Sequence, residues 1–299
     1  MKSSAFGIVA IIVTSVLWGT TGTAATFAPA VGPLAIGAAA MGVGGILQGA
    51  IALRSIRRHA APLRTHGARV LTGAAAVAIY PLAFYSSMHL SGVAVGTVVS
   101  LASAPLASAA LERILDGTPL SRRWVIAVTV AIGGSVLLCL ARANDPEASA
   151  GATALAVVCG LIAGVTYALY SWTARGLMHR GIPRAAAMGS VFGLGGIALV
   201  PVLLFTGAPI LASSESFLVT AYLAIIPMFL GYVIFGVGLA TVRASTATTI
   251  TLIEPAVAAL LAVAVVGETL SALGWFGLGI IGLSLVLLTA PRSARPIPA

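Results

Sequence analysis

The sequence predicts an all-α integral membrane protein, with ten transmembrane helices arranged as two inverted five-helix repeats around a central cavity. Three observations predict it: an apolar composition, ten separable apolar stretches, and basic residues gathered on one side of them. Of the 299 residues, 59% are hydrophobic and 8% charged, and the mean hydropathy is +1.09. A soluble globular chain carries about 25% charged and roughly 45–50% apolar residues. Too little polar surface remains to face water, which disfavours a soluble enzyme, a disordered chain and a secreted disulfide scaffold.

A transmembrane helix needs about 20 mostly apolar residues. Breaks at charge clusters and Pro/Gly/Ser turns give spans near 5–27, 34–53, 70–90, 93–112, 124–141, 151–174, 185–206, 217–241, 245–266 and 272–290. The first span follows Lys2 as a signal peptide would, but its apolar run exceeds the roughly 7–15 residues of a signal core and leads straight into the second.

Fifteen of the sixteen Lys and Arg fall on one side of this arrangement. They are Lys2, Arg54, Arg57, Arg58, Arg64, Arg69, Arg113, Arg122, Arg123, Arg175, Arg180, Arg184, Arg243, Arg292 and Arg295. Arg142 alone lies on the other side, with Asp145, Glu147, Glu215 and Glu268. By the positive-inside rule both termini are cytoplasmic, and the alternation requires an even number of spans. The net charge of +9 thus reads as topology rather than as a nucleic-acid footprint. Cys139 and Cys159 each sit in an apolar run without metal-ligand spacing.

Residues 105–121 align on residues 255–271 with Pro105 on Pro255, Gly117 on Gly267, Leu120 on Leu270 and Ser121 on Ser271. Repeats of five spans, an odd number, run in opposite senses through the membrane. Inverted repeats are a hallmark of alternating-access carriers, whose sites lie near the midplane between the halves. The expected organisation is a first repeat at 1–142, a second at 151–290 and a cytoplasmic tail at 291–299.

The chain resembles EamA-type members of the drug/metabolite transporter superfamily over essentially its whole length. The resemblance is carried by Trp18-Gly19, the mid-span Pro105, Glu254-Pro255, the Gly267-Glu268-Thr269-Leu270 turn and the run GLGIIGLSLVLL at 277–288. Within that family it is most similar to the YddG-like bacterial amino-acid exporters. The resemblance implies export of amino acids or related metabolites from a bacterial inner membrane through a central cavity. The expected partners are small zwitterions and the bilayer, with no nucleic acid and no obligatory protein partner.

Candidate site residues follow from what is unusual inside the spans. Pro81, Pro105, Pro227 and Pro255 each remove a backbone donor mid-span. They mark either hinges around a water-filled cavity or kinks in a dry bundle, and their symmetry favours the cavity. Glu254 is the one carboxylate placed in the core of a span, so it is a functional candidate by default. It binds a substrate ammonium or carries a proton; the structural alternative is a hydrogen-bonded tie for the broken helix. Trp18, Tyr80 and Tyr85 are the preferred aromatic contacts, with Tyr167 and Tyr232 beside them, since such rings pack side chains and attract ammonium groups. His89 is a gate or an interfacial residue. Ser100 and Thr248 line the path or bond back to their own helices. Trp124, Trp172 and Trp275 fall at span ends, where belt anchoring is expected. The glycine pairs Gly45/Gly49, Gly92/Gly96, Gly160/Gly164 and Gly189/Gly193 read as close helix packing.

Absences prune the alternatives. No Lys lies in a span, which disfavours a phosphate antiporter, and the first span has no acid, which disfavours drug/proton antiport. No Walker sequence or nucleophile elbow is present, and no cofactor is expected. The leading expectation is a broad amino-acid exporter acting by facilitated diffusion. A proton-coupled multidrug exporter is the runner-up, and an intramembrane enzyme using His89 or Glu254 is the alternative of another class.

Overall fold

The computed structural model describes residues 2–140, 150–266 and 271–289. Arg142, Asp145, Glu147, the turn Gly267-Glu268-Thr269-Leu270, Arg292, Arg295 and the tail at 291–299 lie outside the described residues, as do the side chains of Lys2 and Cys139. The described residues are helical apart from short connections and form no strand. Its helices are α1 (Lys2–Ala25), α2 (Pro33–Arg58), α3 (Ala60–Thr65), α4 (Gly67–Leu115), α5 (Arg122–Leu140), α6 (Ala150–His179) and α7 (Arg184–Thr206). They continue with α8 (Ser214–Leu223), α9 (Gly231–Leu239), α10 (Ala244–Ile250), α11 (Glu254–Leu261) and α12 (Ala272–Thr289). Among the described residues, eight stretches are long and apolar enough to cross a membrane. Helices α5 and α12, of 19 and 18 residues, are also apolar.

Two features depart from the sequence reading. The basic loop after the second span contains the short helix α3. The third and fourth expected spans form one unbroken helical run, α4, of 49 residues. Yet a Cβ placed on Gly96 would sit 2.5 Å from the Met88 nitrogen. Eight residues of straight helix rise about 12 Å, so the backbone must double back between these positions. Helix α4 is therefore two antiparallel limbs.

Glycine sets the closest helix pairing. A Cβ on Gly193 would lie 3.0 Å from the Gly49 Cα, and one on Gly196 would lie 2.6 Å from the Gly42 carbonyl oxygen. Backbone thus meets backbone where α2 crosses α7, the geometry that small residues permit in a membrane. Gly193→Ala is expected to cost about 1–3 kcal/mol, the usual effect of overpacking. Gly133→Ala, with nothing within 4 Å of the new carbon, is the control and should not destabilise. Unfolding in mixed micelles measures both. Helix α6 uses the same device against both limbs of α4, with Gly160 facing Ser87 and Val99, and Gly164 facing the Ser100 carbonyl.

The helix ends explain part of the repeat alignment. Ser121 Oγ accepts the Trp124 amide at 3.1 Å, and Ser271 Oγ accepts the Gly274 amide at 3.4 Å. The matched serines thus cap α5 and α12. Gly117 takes φ 64, in the left-handed region that favours glycine, and the following Thr118 amide donates back to the Glu112 carbonyl at 3.0 Å, closing α4.

Glu112 is a second buried carboxylate, at the end of α4, beside the one expected at Glu254. Its two oxygens accept the Ser245 amide at 3.2 Å and the Ser245 hydroxyl at 2.6 Å, holding the start of α10. Glu112→Ala is expected to lower stability by about 1.5–3 kcal/mol, the net worth of a charge-assisted bond. Thermal unfolding in detergent reads this directly.

Candidate functional site

The site grows from the first helix. Trp18 is buried and donates its indole Nε1 to the Pro227 carbonyl oxygen at 2.9 Å. Pro227 sits in a π-helical segment, Ala224–Leu230, between α8 and α9. Such segments appear where an α-helical bond has been lost, and proline removes the donor that would make it. Thr14 adds a second tie, its hydroxyl donating to the Gly231 carbonyl at 3.2 Å. The neighbouring Gly19 packs on the other interrupted helix: a Cβ there would lie 2.6 Å from the Val257 Cβ and 3.1 Å from the Glu254 carbonyl oxygen. The Trp18-Gly19 pair therefore joins α1 to both interrupted helices.

Helix α11 begins at Glu254, after a 3₁₀ turn at Thr251–Ile253. Pro255 falls in its first turn, where no intrahelical donor is required. By contrast, the helical run is uninterrupted at Pro81 and Pro105. Departures from α geometry thus occur near two of the four expected hinge prolines, both in the second half.

Around this joint lies a cavity lined by Trp18, Thr21, Met41, Tyr80, Pro81, Phe84, Tyr85, Met228, Tyr232 and Glu254. Its volume is about 10 Å³, room for a single water. In this conformation the wall is closed, and a larger guest requires the helices to part. The structure brings five expected site residues together here: Trp18, Tyr80, Tyr85, Tyr232 and Glu254. The other four lie elsewhere. Tyr167 is buried behind the wall, its hydroxyl 2.9 Å from the Thr251 hydroxyl. Ser100 donates to the Gly96 carbonyl at 2.7 Å, and Thr248 to the Ala244 carbonyl at 2.9 Å, each within its own helix. His89 is exposed.

Aromatic rings give the wall its rigidity. Trp18 packs on Tyr232 with centroids 4.6 Å apart and on Phe235 at 5.2 Å. Tyr80 stacks on Phe84 at 5.5 Å and meets Tyr167 at 5.7 Å. Tyr170 and Tyr232 share a hydrogen bond of 2.7 Å between their hydroxyls. Three polar groups on the cavity remain unspent among the described residues: the hydroxyls of Tyr80 and Tyr85 and the Glu254 carboxyl. The Tyr85 hydroxyl is buried without a hydrogen-bond partner. Among the described residues, the buried Glu254 carboxyl makes neither a hydrogen bond nor an ion pair.

Sequence reasoning missed Thr21, Met41, Phe84 and Met228. Helical spacing signals two of them: Thr21 is three residues after Trp18, and Phe84 four after Tyr80. Belt anchoring fails for Trp124, which is buried and donates to the Thr249 hydroxyl at 3.1 Å. Trp172 is likewise engaged, donating to the Asp116 carboxylate at 2.7 Å. Trp275 is exposed, as a belt residue is.

The EamA-like transporter family matches residues 5–140 and again residues 154–290. The chain belongs to the EamA-like transporter family. This EamA chain is 31% identical over 306 residues to the uncharacterized transporter YwfM of Bacillus subtilis (strain 168), covering 100% of this chain and 99% of that one. It also matches a protein solved by crystallography at TM-score 0.75 and 20% identity, over 96% of each chain, a likeness of fold alone. The EamA protein is thus a multi-pass membrane transporter carrying two family repeats, and these relationships point to a transporter rather than an enzyme.

Proposed function

We propose that this protein is an alternating-access exporter of amino acids and related small metabolites, acting by facilitated diffusion in a bacterial inner membrane. The observation that carries the reading is the pairing of the unspent Glu254 carboxyl with the unspent Tyr85 hydroxyl on one aromatic cavity. A zwitterion satisfies both: its ammonium meets the Glu254 carboxyl, and its carboxylate accepts the Tyr85 hydroxyl. The aromatic wall receives the side chain and adds cation–π attraction for the ammonium.

Ten spans follow if the limbs of α4 are the third and fourth, α8 with α9 the eighth, and α10 with α11 the ninth. Packing supports the two repeats, 1–142 and 151–290, as an inverted pair. Helix α2 packs on α7, and α5 on α12, pairs that map onto themselves when the halves are exchanged. Helix α1 packs on α9 and α11, as its counterpart α6 packs on α4. The distribution of arginines along the sequence supports a cytoplasmic side for both termini, the tail at 291–299 included.

Reconstitution into liposomes tests this reading. Saturable flux of chemically unaltered amino acid, indifferent to a pH gradient, is the expected result. A tenfold stimulation by an imposed proton gradient would move the assignment to proton-coupled export through Glu254. An altered product would mean an enzyme, and absence of flux across all twenty amino acids would refute the substrate class.

A further inference from the structure

We propose that a recess at the basic end of the bundle, which shares no lining residue with the aromatic cavity, binds the phosphate group of an anionic ligand. The recess has a volume of about 330 Å³. It gathers Arg69 from the start of α4, Trp172 and Arg175 from the end of α6, Arg180 just beyond it, Arg243 before α10, and Asp116 after α4.

Three of the four guanidiniums are held rather than loose. Arg69 stacks on the Trp172 ring at 4.0 Å. Arg175 Nε donates to the Val242 carbonyl at 2.7 Å, and Arg180 Nη1 to the Gly176 carbonyl at 2.8 Å. Gly176 makes room for this arrangement, since a Cβ there would collide with Arg69 Nη1. A guanidinium has five N–H donors, so each bond leaves most of the fork free.

Negative charge nearby is already engaged. Asp116 accepts the Trp172 indole N–H at 2.7 Å, and the buried Glu112 holds Ser245. Four arginines thus face two carboxylates, and among the described residues no ion pair joins them. Topology alone requires basic residues somewhere on this end. It does not require four from three separate segments to converge on one recess, with a glycine making room and an indole beneath. Like charges held together repel, and a bound anion removes the penalty. Phosphate oxygens match the arginine fork, and basic pockets between membrane helices take anionic headgroups. A phospholipid headgroup and free phosphate share this chemistry.

The experiment uses the full-length protein in phosphatidylcholine nanodiscs, alone or with phosphatidylglycerol, and separately titrated with inorganic phosphate at matched ionic strength. Thermal unfolding and Trp172 fluorescence, with Trp172→Phe as reference, report binding. Arg180→Gln and Arg243→Gln alter exposed side chains, and each is expected to weaken binding about fivefold, the worth of one arginine near a membrane surface. A response to phosphatidylglycerol alone supports the site and assigns it to a lipid headgroup. A response to inorganic phosphate supports it as open to solution anions. No response to either, or an undiminished response in the double variant, overturns the proposal.

Discussion

Glu254→Gln is expected to lower saturable amino-acid flux at least about tenfold while leaving the protein folded and inserted. Glutamine keeps the shape and the hydrogen-bonding carbonyl but removes the charge that faces a substrate ammonium. A charge-assisted hydrogen bond is worth about 1.5–3 kcal/mol against roughly 1 for a neutral one, and desolvation in the cavity raises the difference. Each 1.4 kcal/mol or so is a factor of ten. Glu254→Asp keeps the charge on a shorter arm and should retain more flux than the glutamine variant. If the carboxyl served to tie the broken helix to a neighbour, glutamine would bridge as well and flux would be unchanged. The absence of a bond from this carboxyl, among the described residues, favours the first outcome. Liposome flux normalised to inserted protein, for all three forms, decides between them.

Trp18→Ala is expected to be the most destabilising substitution in the wall. The indole is buried against Tyr167, Tyr232 and Phe235, with centroids 6.0, 4.6 and 5.2 Å away. Losing a buried tryptophan costs about 3–5 kcal/mol through lost contacts and the cavity left behind. The substitution also strands the Pro227 carbonyl, which the indole N–H satisfies at 2.9 Å. Trp18→Phe separates the two effects. It keeps most of the packing and should cost only about 1–3 kcal/mol, the price of an unsatisfied buried acceptor. Reversible unfolding in mixed micelles gives both values. Equal stability of the alanine variant and the wild type would contradict the role assigned to α1 as the strut between the interrupted helices.

The contrast between these two residues shows what the sequence made legible. Trp18 and Glu254 stand out in one dimension because aromatic and acidic groups are rare in apolar spans. The glycine pairs on α2 and α7 were legible for the same reason, since a four-residue spacing of small residues places them on one helix face. Pairings across the bundle were not legible. Trp18 meets Pro227 across 209 residues, and Glu112 meets Ser245 across 133. Such contacts depend on helix rotation and depth, which apolar periodicity leaves open in a chain so uniformly hydrophobic. Trp124 and Trp172 illustrate the error that follows. Their positions at span ends fit a membrane belt, but the Trp124 indole points to a partner inside the bundle and the Trp172 indole to the Asp116 carboxylate at the exposed end of α4. Ser100 and Thr248 were equally ambiguous, because a hydroxyl that lines a path and one that bonds back to its helix look alike in sequence.

The central claim is that the cavity ringed by Trp18, Tyr80, Tyr85, Tyr232 and Glu254 opens alternately to each side of the membrane and holds substrate. Thr21 lines that cavity and is small enough to replace. The most direct measurement places a single thiol there, as Thr21→Cys with Cys139 and Cys159 changed to alanine, in sealed vesicles of both orientations. Labelling by a membrane-impermeant thiol reagent is predicted from either side, slowed by saturating amino acid on both. Labelling from one side only, or at a rate unaffected by amino acid, would contradict the account.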